Sequence, residues 1–293
     1  MNRAGDQKLP GGATQAWVLW QQRWKLFFRD MQQVWLQVSL LFIFPCLVVL
    51  FALDGLPQMP NLSMETGGDV VRELRERLEF FGETTRVGSL VSGLIMFQVI
   101  LLTLMGSNNS AREVVSERTI FEKEKLAGLR AGSYLAAKLG FLAVLVAAQS
   151  VWMTVFVKVV CGFPGDLWAQ MLFLFLANAA MTSICLAVSS WSRTTEQASL
   201  ISIYLVGFQL PLSGAILALP EPLGAIVRPF IAAYWSWSGL LGTLRDTRFY
   251  DAAAQVTTTP IADPQLCLWV LVTQVVAGLL LAWFGLSRAR WEP

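Results

Sequence analysis

The chain has 293 residues, of which 55% are hydrophobic and 14% charged, with a mean hydropathy of +0.55 and a net charge of +2. Soluble domains carry about 25% charged residues, so this chain has too few to cover a water-facing surface, and its composition implies a bilayer. It contains no histidine, which removes the commonest general base, the commonest zinc ligand and every Ser-His or Cys-His pair, while the near-neutral charge offers no field for nucleic acid.

In chain order, residues 1–13 are expected to be a flexible N-terminus. Residues 14–30 follow as an amphipathic helix: Trp17, Trp20, Trp24, Phe27 and Phe28 recur near helical spacing, with Gln21, Gln22, Arg23 and Lys25 between them. Such a helix lies in the membrane interface, and Arg29-Asp30 marks the turn into the bilayer. A bilayer-crossing helix needs about 20 mostly apolar residues. Six runs qualify: Val34–Leu53, Gly88–Gly106, Leu135–Val159 (Lys138 and Lys158 snorkelling near its ends), Trp168–Val188, Ala198–Leu217 and Leu266–Leu286. Trp35, Trp168, Trp269 and Trp283 lie near span ends, where indoles either anchor at the headgroups or pack between helices.

The remaining segments divide by charge. Residues 54–86 are an acidic insertion holding a short amphipathic helix, Asp69–Phe81, and a weak sequon at Asn61-Leu62-Ser63; this insertion is the candidate surface for an external partner. The stretch 219–265 is apolar but broken by Pro220, Pro222 and Pro229, which predicts a re-entrant external region rather than a seventh span. With six spans and the N-terminus inside, the inner segments hold 14 basic residues and a net charge of +6, against 8 and −4 outside. The positive-inside rule therefore places both termini in the cytoplasm. The 111–126 segment reads as a charged helix beneath the membrane, with Glu117, Glu122 and Glu124 interleaved with Arg118, Lys123 and Lys125 and an apolar pair, Ile120-Phe121, suited to a groove on a cytoplasmic partner.

The four cysteines (Cys46, Cys161, Cys185, Cys267) form no CxxC pair, so a metal cluster is not expected. Cys46 and Cys185 read as small core hydrophobes. Cys161 and Cys267 each fall at one end of an apolar run, and they pair only if both ends lie outside with facing Cβ vectors.

The order Glu117-Arg118-x-Ile120-Phe121-x-x-Glu124-x-x-x-Gly128, then Tyr134 and Lys138, resembles the signature of ABC-2-type transporter membrane domains, closest to the G (White) subfamily of ABC transporters. Gln15, Arg23 and Arg29-Asp30 are similar to that family's connecting helix. The resemblance implies an all-α membrane protein of the ABC-2, or type II exporter, fold: a connecting helix at 14–30 and a six-span permease domain at 31–293. It also implies a coupling helix at 111–126 that docks on a separate nucleotide-binding ATPase through Glu117, Arg118, Phe121, Glu124 and Gly128, with Arg23 a partner for Glu117 or Glu124. A second membrane subunit, the same or different, would enclose a cavity lined by Phe97, Leu101 and Met105 of span two and Phe208, Gln209, Leu210 and Ser213 of span five, with an apolar plug near Leu210–Leu212. The implied activity is outward movement of a lipophilic or amphipathic substrate across the bacterial inner membrane.

Two departures stand out. No GxxxxGK[ST] loop is present, so the chain is expected to carry no cofactor and to hydrolyse nothing, ATP and magnesium residing on the partner. The basic residue of the connecting helix is also shifted by one position relative to Asp30. The alternatives are a secondary transporter or channel, or an intramembrane enzyme. The first lacks ionisable residues at span centres and the second lacks any catalytic set; Gln98, Gln149, Asn178, Gln209 and Gln274 read as interhelical bonds or as polar points of a cavity.

Overall fold

The computed structural model describes residues 10–52, 70–215 and 220–288, with backbone alone for 70–78 and 221. The first nine residues and residues 53–69, which hold the Asn61 sequon and the first part of the acidic insertion, lie outside these. The described residues form eleven α-helices and no strand, as a bilayer demands of an open chain.

Helix α1 (Gly12–Arg29) is the expected amphipathic helix. It ends at Asp30, whose carboxylate accepts the Gln33 N–H at 3.2 Å and caps α2 (Met31–Leu50). Helix α3 (Val70–Ser110) has 41 residues, so the separate external helix expected at 69–81 is instead continuous with the second span. The helix expected at 111–126 is divided. A turn and one 3-10 turn (Val115–Glu117) precede α4 (Arg118–Leu126), because the Ser189 hydroxyl accepts the N–H groups of both Val114 and Val115 at 3.1 Å and draws them out of helical register. Helices α5 (Ala131–Cys161), α6 (Leu167–Trp191) and α7 (Thr195–Leu212) follow. Asp166 and Thr194 cap the last two by accepting Ala169 N–H and Gln197 N–H. The chain closes with α8 (Glu221–Val227), α9 (Ala232–Gly242), α10 (Arg248–Val256) and α11 (Pro264–Arg288).

Five stretches are long and apolar enough to cross a membrane: α2, the portion of α3 from Glu79, α5, α6 and α11. The run expected as a further span, Ala198–Leu217, corresponds to α7, which has 18 residues and ends at Leu212; residues 216–219 lie outside the description. The four span-end tryptophans, Trp35, Trp168, Trp269 and Trp283, are all exposed. That favours the interfacial-anchor reading over packing between helices. All four cysteines are free, so Cys161 and Cys267 do not pair.

The segment from 220 to 263 turns back on itself. Every residue of α9 is buried, packed among α3, α6 and α11. The turn before it (228–231) is not α-helical, and its polar backbone is answered by side chains. Trp235 Nε1 donates to Arg228 O at 2.8 Å, Gln274 Nε2 donates to Pro229 O at 2.7 Å, and Gln209 Oε1 accepts Ala233 N–H at 3.0 Å. Gln274 sits ten residues inside α11 from Pro264, about 15 Å at 1.5 Å per residue, so this turn reaches well below the helix end.

The main core joins α3, α6 and α9 around Trp237, Ile95, Met96, Leu102 and Leu174. Helices α2 and α11 are largely exposed along their lengths. Helix α11 meets α6 through two glycines seven residues apart. A Cβ on Gly278 would lie 2.5 Å from Ser183 Oγ and 2.8 Å from Ser183 C, and one on Gly285 would lie 2.3 Å from Ser190 Oγ. Both hydroxyls bond to their own helix, Ser183 to Ala180 O and Ser190 to Ala187 O, so this contact is close packing of small residues rather than hydrogen bonding. Replacing Gly278 with Leu is expected to force the two helices apart and to lower stability by about 1–3 kcal/mol. The measurement is thermal unfolding of the detergent-solubilised chain, with Leu280→Ala at an exposed neighbouring position as the near-neutral comparison.

Candidate functional site

The charged residues gather where α1, α5 and the α3–α4 connection meet. Arg23 lies on the inward face of α1, and its Nε and Nη2 each donate to a Glu113 carboxylate oxygen at 2.7 Å, a bidentate pair. Lys138, two turns into α5, donates to Glu113 Oε1 at 2.9 Å and pairs with Glu117 Oε2 at 2.7 Å. Tyr134 donates its hydroxyl to the same Glu117 oxygen at 3.3 Å. Two cations and two carboxylates cancel in formal charge. Glu113 and Lys138 are almost wholly buried, which only mutual pairing permits. The Arg23 guanidinium also lies 4.8 Å from the Phe141 ring centroid. Arg23 thus reaches Glu113, not Glu117 or Glu124 as the resemblance implied. Glu113 falls four residues ahead of the motif that begins at Glu117, in the turn between α3 and α4.

Helix α4 is tied down at both ends by its own cations. Arg118 donates to Ser192 O at 2.8 Å and to Glu122 at 3.0 Å. Lys125 donates to Ser287 O at 3.0 Å and Leu286 O at 3.3 Å. These carbonyls end α6 and α11, where a helix leaves acceptors unpaired and favours positive charge. Phe121 is 1% exposed, its ring 4.5 Å from that of Tyr134. Of the Ile120-Phe121 pair, therefore, only Ile120 faces outward. Ile120 (57% exposed) and Leu126 (74%) flank Lys123 and Glu124 on the free side of the helix; Leu126 carried no signal beyond its place at the helix end. Gly128, at φ +105°, makes the left-handed turn that sends the chain into α5, and Gln15 of α1 braces it by donating to Gly128 O and accepting Arg130 N–H. A recess of about 130 Å³ between α1, α4 and α5 is lined by Arg23, Glu117, Ile120, Phe121, Glu124 and Lys138.

Deeper in the bundle, four amides link four helices. Gln37 (α2) donates to Asn109 (α3) at 2.8 Å, Asn109 to Gln149 (α5) at 2.9 Å, Gln149 back to Gln37 at 3.0 Å, and Asn178 (α6) to Gln149 at 3.2 Å. All four are buried. Gln149 and Asn178 thus fall on the interhelical side of the two readings open to them. Asn109 lies beyond the apolar run expected for its span, and Gln37 lies within the run Val34–Leu53, where a single amide carries no periodic signal.

The residues expected around a cavity divide. Leu101 and Met105 point into the core. Gln209 caps α9, and Ser213 is buried with its hydroxyl donating to Leu210 O. Phe97 and Leu210 are half-buried, and Phe208 is exposed. The open side of α7 is the stripe Leu200, Ile203, Tyr204 and Phe208, while neighbouring α3 presents Leu104 one heptad beyond Phe97. Counting by helical turns from Phe208 and Phe97 reaches Tyr204 and Leu104, so periodicity was sufficient to find them. Among the described residues no His, Cys, Asp or Glu cluster suits a metal ion.

The five apolar helices of span length define an integral membrane protein, with a cluster of buried charges where α1, α4 and α5 meet. The family model for the ABC-2 type transporter matches residues 14–235, and the chain belongs to that family, the membrane permease class of ABC transporters. A Mycobacterium tuberculosis protein described as an ABC transporter ATP-binding/permease protein is 33% identical over 171 residues. That match takes in 54% of this chain but spans only 19% of the relative's length.

Replacing Lys138 with Met leaves Glu113 with one cation in a buried site, and is expected to cost about 3–5 kcal/mol. Glu117→Gln, at a side chain 31% exposed, is expected to cost about 0–1 kcal/mol. Denaturant unfolding in detergent compares the two, and equal losses would mean that the pairing does not order the junction.

Proposed function

We propose that this chain is the six-span permease subunit of an ATP-driven exporter, nearest in arrangement to the G subfamily. In this reading α7 serves as the fifth span, residues 31–293 form the permease domain, and two such subunits enclose the transport path. A separate ATPase, holding ATP and magnesium, docks on the free face of α4. The substrate moves outward and is lipophilic or amphipathic, in keeping with the apolar stripe of Ile203, Tyr204 and Phe208 on α7 and with Phe97 and Leu104 on α3. Both termini lie in the cytoplasm, and the membrane is the bacterial inner membrane.

The observation that carries this reading is the way α4 is held. A short helix with exposed Ile120 and Leu126 is bonded at one end to the terminus of α6 and at the other to that of α11. Its buried Phe121 stacks on α5. A load applied to the free face therefore bears on three long helices at once. The sequence has no phosphate-cradling GxxxxGK[ST] loop, which supports placing ATP hydrolysis on the partner. A secondary carrier is the second reading; the described spans carry no ionisable side chain near mid-bilayer to bind a coupling ion.

The test is co-expression with the ATPase encoded nearest to this chain's gene, followed by affinity capture and transport in vesicles. The wild-type chain is expected to retain the ATPase. Leu126→Asp, at a side chain that contributes little to the fold, is expected to weaken retention by about tenfold or more, the scale of an interface anchor, and to abolish ATP-dependent transport. Capture of no ATPase, with transport that persists without ATP, would support the secondary carrier instead.

A further inference from the structure

Beside the charged junction, on the other flank of α1, lies an open groove of about 650 Å³ lined by Trp20, Gln21, Trp24, Lys25 and Val144. Trp20 stacks on Trp17 at 5.0 Å and Trp24 on Phe28 at 5.6 Å. Gly140, having no side chain, admits the Trp20 ring against α5, where a Cβ would lie 3.0 Å from it. The depth of this groove follows from helix length. Seventeen residues of α5 remain beyond Val144, about 26 Å at 1.5 Å per residue, close to the roughly 30 Å of a hydrocarbon layer. The groove therefore opens at the boundary between headgroups and acyl chains.

Two further features bear on its occupant. Helix α1 holds no carboxylate, and while Arg23 turns inward to Glu113, Gln21, Lys25 and Arg29 form an exposed i, i+4 stripe along the groove's side. Among the described residues no carboxylate pairs with Lys25. The Trp24 indole N–H, shielded from solvent, makes no hydrogen bond within the protein. A buried donor without an acceptor is uncommon in a folded chain. Trp24 lines the groove together with Gln21, an amide able to donate, and the cationic Lys25. A basic site with an aromatic wall at the leaflet boundary complements a lipid that carries a phosphate above two acyl chains.

We propose that the α1–α5 groove holds the headgroup of an anionic glycerophospholipid from the adjoining leaflet. Lys25 faces the phosphate, the Trp24 N–H donates to a headgroup oxygen, and Trp20 and Val144 contact the upper acyl chain. The lipid staples the interfacial helix to α5 on the side away from the ion pairs. This inference rests on the membrane reading of α5 and not on the ATPase partner, so the two fail separately: losing the lipid site leaves ATPase capture intact as a test of the transport reading.

The experiment is native mass spectrometry of the purified full chain in detergent, with dioleoylphosphatidylglycerol or dioleoylphosphatidylcholine added at equal concentration. Phosphatidylglycerol is expected to remain bound preferentially. Lys25→Glu should lower its retention about fivefold, the scale of one basic residue at a membrane surface. Trp24→Phe, which keeps a ring and removes the N–H, should lower it about twofold to threefold. Arg193→Glu, an exposed cation on the α6–α7 turn, should leave it unchanged. Circular dichroism confirms that each variant keeps its helix content. Equal retention of the two lipids, undiminished binding by Lys25→Glu, or displacement of phosphatidylglycerol by millimolar inorganic phosphate would overturn the proposal.

Discussion

Water does not reach the centre of a hydrocarbon layer, so every N–H and C=O there must find a partner inside the protein. Long helices meet this demand without help. Residues 228–231 ahead of α9 leave α-helical geometry beside the main core; Trp235 and Gln274 bond the Arg228 and Pro229 carbonyls there, and Gln209 bonds the Ala233 N–H at the start of α9. Three otherwise scattered features follow from this one constraint: a glutamine near the end of α7, another in the middle of lipid-exposed α11, and a tryptophan on a helix already crowded with aromatics. Removing any one of them would strand a backbone group in a medium that cannot solvate it, a larger loss than the net value of one hydrogen bond.

Polarity is distributed with depth in the same spirit. Mid-bundle, the linkage between α2, α3, α5 and α6 is made by neutral amides, Gln37, Asn109, Gln149 and Asn178, each both donating and accepting except Asn178, whose carbonyl oxygen finds no partner. Among the described residues the buried full charges, Glu113, Glu122 and Lys138, all lie at the α4 end, and there they are paired within a few ångströms. An amide can be buried for the cost of matching its hydrogen bonds. A carboxylate needs a cation as well, and cations are available where the chain emerges towards water.

The helices were legible because apolar runs of span length admit few other readings, and the motif around Glu117 and Phe121 was legible because its residue order is unusual. What escaped was partner choice. Glu113 and Glu117 stand one turn apart, and nothing in the sequence says that Arg23 reaches the first; the turn at Val114 and Val115, set by Ser189 from 74 residues away, decides which carboxylate faces α1. The division of the 111–126 segment was hidden for the same reason. Gln209 was misleading in another way. A glutamine in an apolar span suggests a polar point in a cavity, whereas its carbonyl caps a helix 24 residues further along. Long-range pairing by a single hydroxyl or amide leaves no periodic trace.

These layers together determine how α4 can move. Its two ends bond the last carbonyls of α6 and α11, acceptors that no residue within those helices can satisfy. Its buried face holds Phe121 against Tyr134, and the turn leading into it carries Glu113 and Glu117, which bind Lys138 of α5 and, through Glu113, Arg23 of α1. Sliding α4 alone would uncover a buried ion cluster and two helix termini together, so the low-cost displacement carries α1, α5, α6 and α11 with it. Helices α5 and α6 then meet α2 and α3 through the amide network. The charged cluster and the bundle are therefore one mechanical body at this end. At the other end α7 meets the α9 segment through the Gln209 bond to Ala233, the contact of Thr259 on Gly214, and the packing of Leu210 and Leu212 against the main core.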